Sequence, residues 1–146
     1  MSKISMVESA TATDCKTVDA SKFVEAVTNG KWRDKIEPIR RTYQITMEQT
    51  GGDSQQAGAA IGELKRKLPA VMWAGVFGQR KAEAIEAHSG LVVVDLDHVG
   101  AGLAKAKDTL AKDPCVFACF VSPSGDGLKA VYRVPPPAEQ IGRAHV

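Results

Sequence analysis

The chain has 146 residues, 44% of them hydrophobic and 25% charged, a balance that suits one globular domain with a packed core and excludes an intrinsically disordered chain. Nineteen Lys and Arg against seventeen Asp and Glu leave a formal charge of +2, too even to mark a nucleic-acid binder by charge alone. The apolar runs fall well short of the ~20 residues a bilayer-crossing helix needs, the opening MSKISMVE carries no apolar signal segment, and three cysteines are an odd number for a disulfide framework. A cytoplasmic protein without a membrane partner is expected.

Ser21 can cap a short helix whose Phe23, Val24 and Val27 share a face, with Asn29-Gly30 closing it. Residues 32 to about 43 follow, rich in basic side chains, and Pro38 argues against one uninterrupted helix there. Residues 46–58 are small and polar and read as a mobile loop, while 59–68 read as a helix stopped by Pro69. AVMWAGVF (70–77) reads as a strand and 80–87 as one or two helical turns. Residues 91–97 form a β-branched apolar run with the pattern of a buried strand. Leu103, Ala106, Leu110 and Ala111 then fall at helical spacing within 101–112, and 115–121 is a second apolar strand. That stretch is β-α-β, which calls for a right-handed crossover between parallel strands. Residues 122–127 are a glycine-containing turn, and 128–134 alternate as a half-exposed strand forming a hairpin with the one before.

The expected fold class is therefore α+β: a mixed β-sheet with a βαβ crossover and a hairpin, and helices packed on the sheet. Pro135-Pro-Pro137 leads to Ile141-Gly-Arg-Ala-His-Val146 before any covering helix follows. Residues 1–140 thus read as the incomplete, C-terminally truncated part of one domain. Residues 141–146, whose codons can match a sequencing adapter, read as a non-native tail.

The sharpest chemical feature is Asp95-Leu-Asp97 at the end of an apolar strand. Residues i and i+2 of a strand point to the same side with α-carbons ~6.5–7 Å apart. Two carboxylates emerging together repel and resist desolvation, and a hard divalent cation such as Mg²⁺ or Mn²⁺ relieves both problems. Such pairs can hold two ions ~3.5–4 Å apart for in-line phosphoryl chemistry. A solvated pair at a strand terminus fits the same residues. The second feature is Ser122-Pro-Ser-Gly-Asp-Gly-Leu-Lys129. Gly125 and Gly127 let backbone amides approach an anion, Ser122 and Ser124 add hydroxyl donors, and Lys129 supplies a point charge suited to phosphate. It is not a P-loop, since GxxxxGK[ST] is absent and a strand follows, and a plain hairpin turn also fits. In parallel neighbouring strands, Asp97 and Ser122 would both sit at carboxyl ends and open on one edge of the sheet.

Taken together, KRKLPAVMWAGVFGQR, HSGLVVVDLDHVG and DPCVFACFVSPSGDGLKAVYRV resemble the VirE N-terminal domain family. Members of that family are similar to primase-polymerases of the archaeo-eukaryotic primase superfamily, often fused to helicase-like regions in phages and mobile elements. The resemblance covers roughly residues 20–134 and is most specific over 65–134. It implies a primase-polymerase or RRM-like core in which Asp95 and Asp97 are the metal-binding, catalytic DxD of the first motif. It also implies that Ser122, Ser124, Gly125, Gly127 and Lys129 form a second motif touching nucleotide phosphates. Many superfamily members carry a histidine in that motif; here Lys129 is the basic residue nearby. A third acidic motif should follow downstream, and Glu139 lacks strand context for it.

Other residues have plainer readings. His98 falls in the loop after the DxD and His88 in local structure before a Ser-Gly turn. Cys115 and Cys119 share a strand face without partners for a zinc site and read as buried thiols. Arg80, Lys65, Arg66 and Lys67 can contact template backbone or form a solvated helix face. Trp32, Tyr43 and Trp73 can stack bases, although Trp73 fits core as well. The function expected is a metal-dependent DNA primase/polymerase-like nucleotidyltransferase domain of a bacterial, phage or mobile-element replication protein, with an incomplete active site and no activity as this fragment. It would use Mg²⁺ or Mn²⁺, nucleoside triphosphates, single-stranded or primed DNA, and a fused or partner helicase. The alternative is a non-catalytic single-stranded nucleic-acid-binding module. A DxD phosphatase would want Thr after the second Asp, where His98-Val99 stand.

Overall fold

The computed structural model of the chain describes residues 2–134; Glu139 and the 141–146 tail lie outside them. The chain opens on two strands absent from the sequence reading, β1 (Lys3–Val7) and β2 (Lys16–Asp19), paired antiparallel. Helix α1 (Ala20–Thr28) follows at once, starting one residue before Ser21, which is therefore inside the helix rather than its cap. Helix α2 (Arg33–Thr50) runs straight through Pro38 and ends at Gly51 in the left-handed conformation. Asp53 accepts from the Gln56 N–H at 3.1 Å to start α3 (Ser54–Ala60), and α4 (Gly62–Lys65) closes the helical half.

Most of the loop expected over 46–58 is thus helical. The physical reason is an apolar stripe: Ile39 and Tyr43, with Met47 one turn on, pack against Ala57, Ile61, Leu64 and Leu68 in a small core of their own. Burying that stripe outweighs the polar residues around it and the hydrogen bond Pro38 cannot make.

The expected strand over 70–77 divides at Trp73-Ala74 into β3 (Ala70–Met72) and β4 (Gly75–Phe77). β3 joins β1 to give the order β2-β1-β3, while β4 pairs with β5 (Ile85–His88). The helical turns expected over 80–87 shrink to one 3-10 turn at Ala82–Ala84 before β5. Fully buried Ser5 ties the two sheets, its hydroxyl accepting from the Phe77 N–H at 2.9 Å.

The third sheet comprises β6 (Leu91–Leu96), β7 (Val116–Val121) and β8 (Leu128–Arg133), with α5 (Leu103–Ala111) between the first two in sequence. Its order is β6-β8-β7 and both ladders are antiparallel. The α+β class holds, but every ladder among the described residues is antiparallel, so the expected mixed sheet with parallel neighbours is not found. The hairpin explains it: β8 folds back from β7 and takes the position between β6 and β7. β6 is consequently an edge strand, not a buried one. Its Val92, Val94 and Leu96 side chains are exposed, and of its residues only Leu91 is buried. Leu91, Ala118 and Val131 join Ile4, Ala20 and Trp73 in the main core, flanked by Phe23, Val93 and Phe120. No helix of the described residues is long and apolar enough to cross a membrane.

Candidate functional site

The two sequence motifs meet at one edge of the third sheet, through β8 rather than through parallel neighbours. Antiparallel register sets Asp95 opposite Lys129, and Lys129 Nζ lies 2.9 Å from Asp95 Oδ1. Asp97 stands just past the end of β6 and is exposed. The 122–127 turn packs directly on this segment. The Val99 N–H donates to the Asp126 carbonyl at 2.8 Å, and a Cβ on Gly127 would come within 2.6 Å of the Leu96 carbonyl oxygen. Only glycine permits that approach. Gly125, with φ +86°, supplies the left-handed turn the chain needs there.

Within the turn the polar groups satisfy one another. The Gly125 N–H donates to the Ser122 carbonyl at 3.0 Å, the Asp126 N–H to Ser124 Oγ at 3.2 Å and the Gly127 N–H to Ser122 Oγ at 3.1 Å. Ser122 Oγ and Ser124 Oγ are themselves 3.2 Å apart. The amides that the glycine pattern suggested for an anion are engaged inside the turn. Its rigidity and the side chains around it are what it offers a ligand.

Asp126 organises the corner. It accepts from Tyr43 Oη at 2.8 Å and from the Gly100 N–H at 3.2 Å, and His98 Nδ1 lies 3.2 Å from the same carboxylate. Burial pushes its carboxyl up, but the bonds from Tyr43, His98 and Gly100 outweigh that and hold it below the usual carboxylate range. His98 is the only non-glycine residue of the described chain with positive φ, at 55°. No local pattern marks Asp126, because its partners Tyr43 and His98 lie 83 and 28 positions away. Tyr43 is buried with its hydroxyl committed, which removes it as a base-stacking residue.

Beside Asp95 and Lys129 opens a cavity of about 620 Å³, roofed by α1 and α2. Trp32, Trp73, Phe23 and Phe120 give it an aromatic wall, and Arg40 reaches it from α2. Arg40 donates to the Ser122 carbonyl at 3.1 Å and the Val121 carbonyl at 3.5 Å, laying its stem over Gly125. In the sequence Arg40 is one basic residue among several on a helix; only the fold turns it toward the motifs. The other basic candidates are placed elsewhere. Arg80 donates to the backbone of Ala10 and Ala12, and Arg66 pairs with Glu63 at 2.7 Å. Lys65 and Lys67 are exposed, as is His88 on β5. Cys115 is exposed rather than buried, because it precedes β7, whereas Cys119 is half-buried and burial raises its thiol pKa.

Asp95 and Asp97 are hard oxygen donors at an exposed strand end, and no group of three or more His, Cys, Asp or Glu side chains among the described residues converges on a metal-sized site. Mg²⁺ is commonly held by one or two carboxylates, with waters and substrate oxygens completing the shell; the two residues have that donor chemistry, while Asp95 Oδ1 is taken by Lys129.

The model of the BT4734-like N-terminal domain matches residues 63–144, over half of the chain. The chain belongs to that family. The BT4734-like match takes in both motifs, while Arg40, Tyr43 and Trp32 lie before it. No curated protein and no solved structure matches.

Proposed function

We propose that this BT4734-like domain is a primase-polymerase-like nucleotidyltransferase domain of a bacterial, phage or mobile-element replication protein. Nucleoside triphosphates and single-stranded or primed DNA would be its substrates, and a fused or separate helicase its partner. The observation that carries the reading is the convergence of Asp95, Asp97, Lys129 and the 122–127 turn on one corner beside a ligand-sized cavity.

Asp95 and Asp97 would hold Mg²⁺ or Mn²⁺, which when bound activates a hydroxyl and neutralises phosphate charge. Lys129, tethered to Asp95, is a compact cation for a phosphate oxygen. Ser122 and Ser124 can exchange their mutual contact for a phosphate acceptor, and Gly125 and Gly127 hold the turn in the shape that presents them.

The internal engagement of the turn amides favours a second reading, a non-catalytic single-stranded nucleic-acid-binding module. Calorimetry with Mn²⁺ and a nucleoside triphosphate separates the two. Metal-dependent binding that disappears in Asp95→Asn is the expected result. Single-strand binding indifferent to EDTA and to Asp97→Asn, with no nucleotide affinity, establishes the module instead.

A further inference from the structure

Among the described residues Arg40 is a cation without a counter-ion. Its guanidinium meets only the backbone carbonyls of Val121 and Ser122, and among the described residues no carboxylate lies within ion-pair distance of it. Carbonyl oxygens take up its N–H groups without opposing its charge, which water screens in part on this exposed side chain. Solvent still reaches the side chain, so a ligand can as well. The cavity it faces is lined by Arg33, Arg40 and Lys129 against Glu37 and Asp95; Lys129 and Asp95 pair with each other, which leaves two cations against Glu37.

The same cavity has an aromatic lining whose rings are tilted or edge-on to one another. Phe23 lies 5.3 Å from Trp32 and 5.5 Å from Trp73 between ring centroids, and Trp73 lies 6.2 Å from Phe120. Aromatic edges and faces beside a guanidinium that has no carboxylate partner among the described residues suit a ligand that is aromatic at one end and anionic at the other.

We infer that the cavity is a nucleoside-phosphate pocket in which Arg40 grips the phosphate by its guanidinium fork, independently of metal, while the base lies against the Trp32 side. The inference rests on the nucleotide reading of the Asp95 corner and adds to it the residue that holds the anion.

Both tryptophans of the chain line this cavity, so tryptophan fluorescence reports on its occupancy. The test is titration of the full chain with ATP, adenosine and inorganic tripolyphosphate in EDTA, corrected for nucleotide absorbance. ATP is expected to bind without metal and more tightly than either fragment. Arg40→Gln should weaken ATP at least tenfold, and Arg40→Lys, which keeps the charge but not the fork, by a smaller factor. Lys112→Gln, an exposed cation paired with Asp108 on α5, should match wild type.

Equal ATP affinity in wild type and folded Arg40→Gln overturns the assignment, as does the absence of binding in EDTA. Should Arg40→Gln fail to fold, wild-type affinity in Arg40→Lys overturns it. Adding Mg²⁺ separates this inference from the metal reading. Binding in EDTA that depends on Arg40 but gains nothing from Mg²⁺ retains the pocket and removes the metal role. Binding seen only with Mg²⁺ and lost in Asp95→Asn does the reverse.

Discussion

Around Asp126 one carboxylate is shared by a helix, a loop and a backbone amide, and the ionisation of its neighbours follows. Burial, then the bond and charge of Asp126, then the charge of Asp97, push Tyr43 up to about 12. In an unfolded chain a tyrosine ionises near ~10, so the stability Tyr43 contributes is complete below that pH and is lost as pH rises from roughly 10 through 12. Asp126 acts at the other end of the scale. Its depressed value means its contribution is complete above the ordinary carboxylate range and lost as pH falls through the folded value. In Tyr132→Phe, which leaves Tyr43 as the only phenol, an ultraviolet phenolate titration should show a step near pH 12. A step at the ordinary position near ~10 would show that Tyr43 is neither buried nor bonded to Asp126 in solution. Tyr43→Phe should cost roughly 1.5–3 kcal/mol, the range for a hydrogen bond to a charged group. At this scale the sequence exposed half of the corner. Asp95, Asp97 and Lys129 stand out because strand alternation and turn glycines are local patterns. Asp126, Tyr43 and Arg40 do not, because nothing local distinguishes one helical arginine from the next.

Helix α2 shows how an element can defeat its own breaker. Pro38 sits in its second turn, removing the N–H that would reach the Asp34 carbonyl. The helix persists because Ile39 and Tyr43 are buried on one face and Met47 continues the stripe. Pro38→Ala should restore the missing bond and raise stability by about 1–3 kcal/mol, less the entropy a proline removes from the unfolded chain. Thermal melting checks it, and a lowered Tm would mean that the helix is already fitted to the ring. Element existence was legible wherever periodicity was strong, as in α1, α5, β6, β7 and β8. It failed where burial is decided by distant partners. The short β1 and β2 hairpin gains its buried face only when β3 and α1 close over Ile4. The 46–58 stretch is helical only against Ile61 and Leu68. The parallel pairing expected from β-α-β was displaced by a hairpin that the sequence itself displayed; the two patterns competed for one position beside β6, and the shorter connection won.

The whole molecule joins two stretches of chain around one cavity. The BT4734-like match begins at residue 63, yet Trp32 and Arg40 come from α2 and its entry, so the matched residues alone supply only one wall. On the far side β6 is an open edge carrying Val92, Val94 and Leu96 at 49%, 41% and 37% exposure, the kind of strand that invites edge-to-edge pairing. β8 lies between β6 and β7, and this arrangement sets an order of events when the chain folds. Val121 and Leu128 face each other across a tight turn, whereas Leu91 must find Arg133 across the whole of α5 and the hairpin. Loop closure favours the β7–β8 hairpin first. β6, bearing Asp95, docks onto a surface that already exists. Ser122→Ala, which removes the hydroxyl that accepts from the Gly127 N–H, should therefore slow refolding, while Val93→Ala in β6 should chiefly speed unfolding. Stopped-flow chevrons that show the reverse would place β6 in the nucleus. The first carboxylate of the corner is then among the last parts of the sheet to be fixed, and the first to be released when it opens.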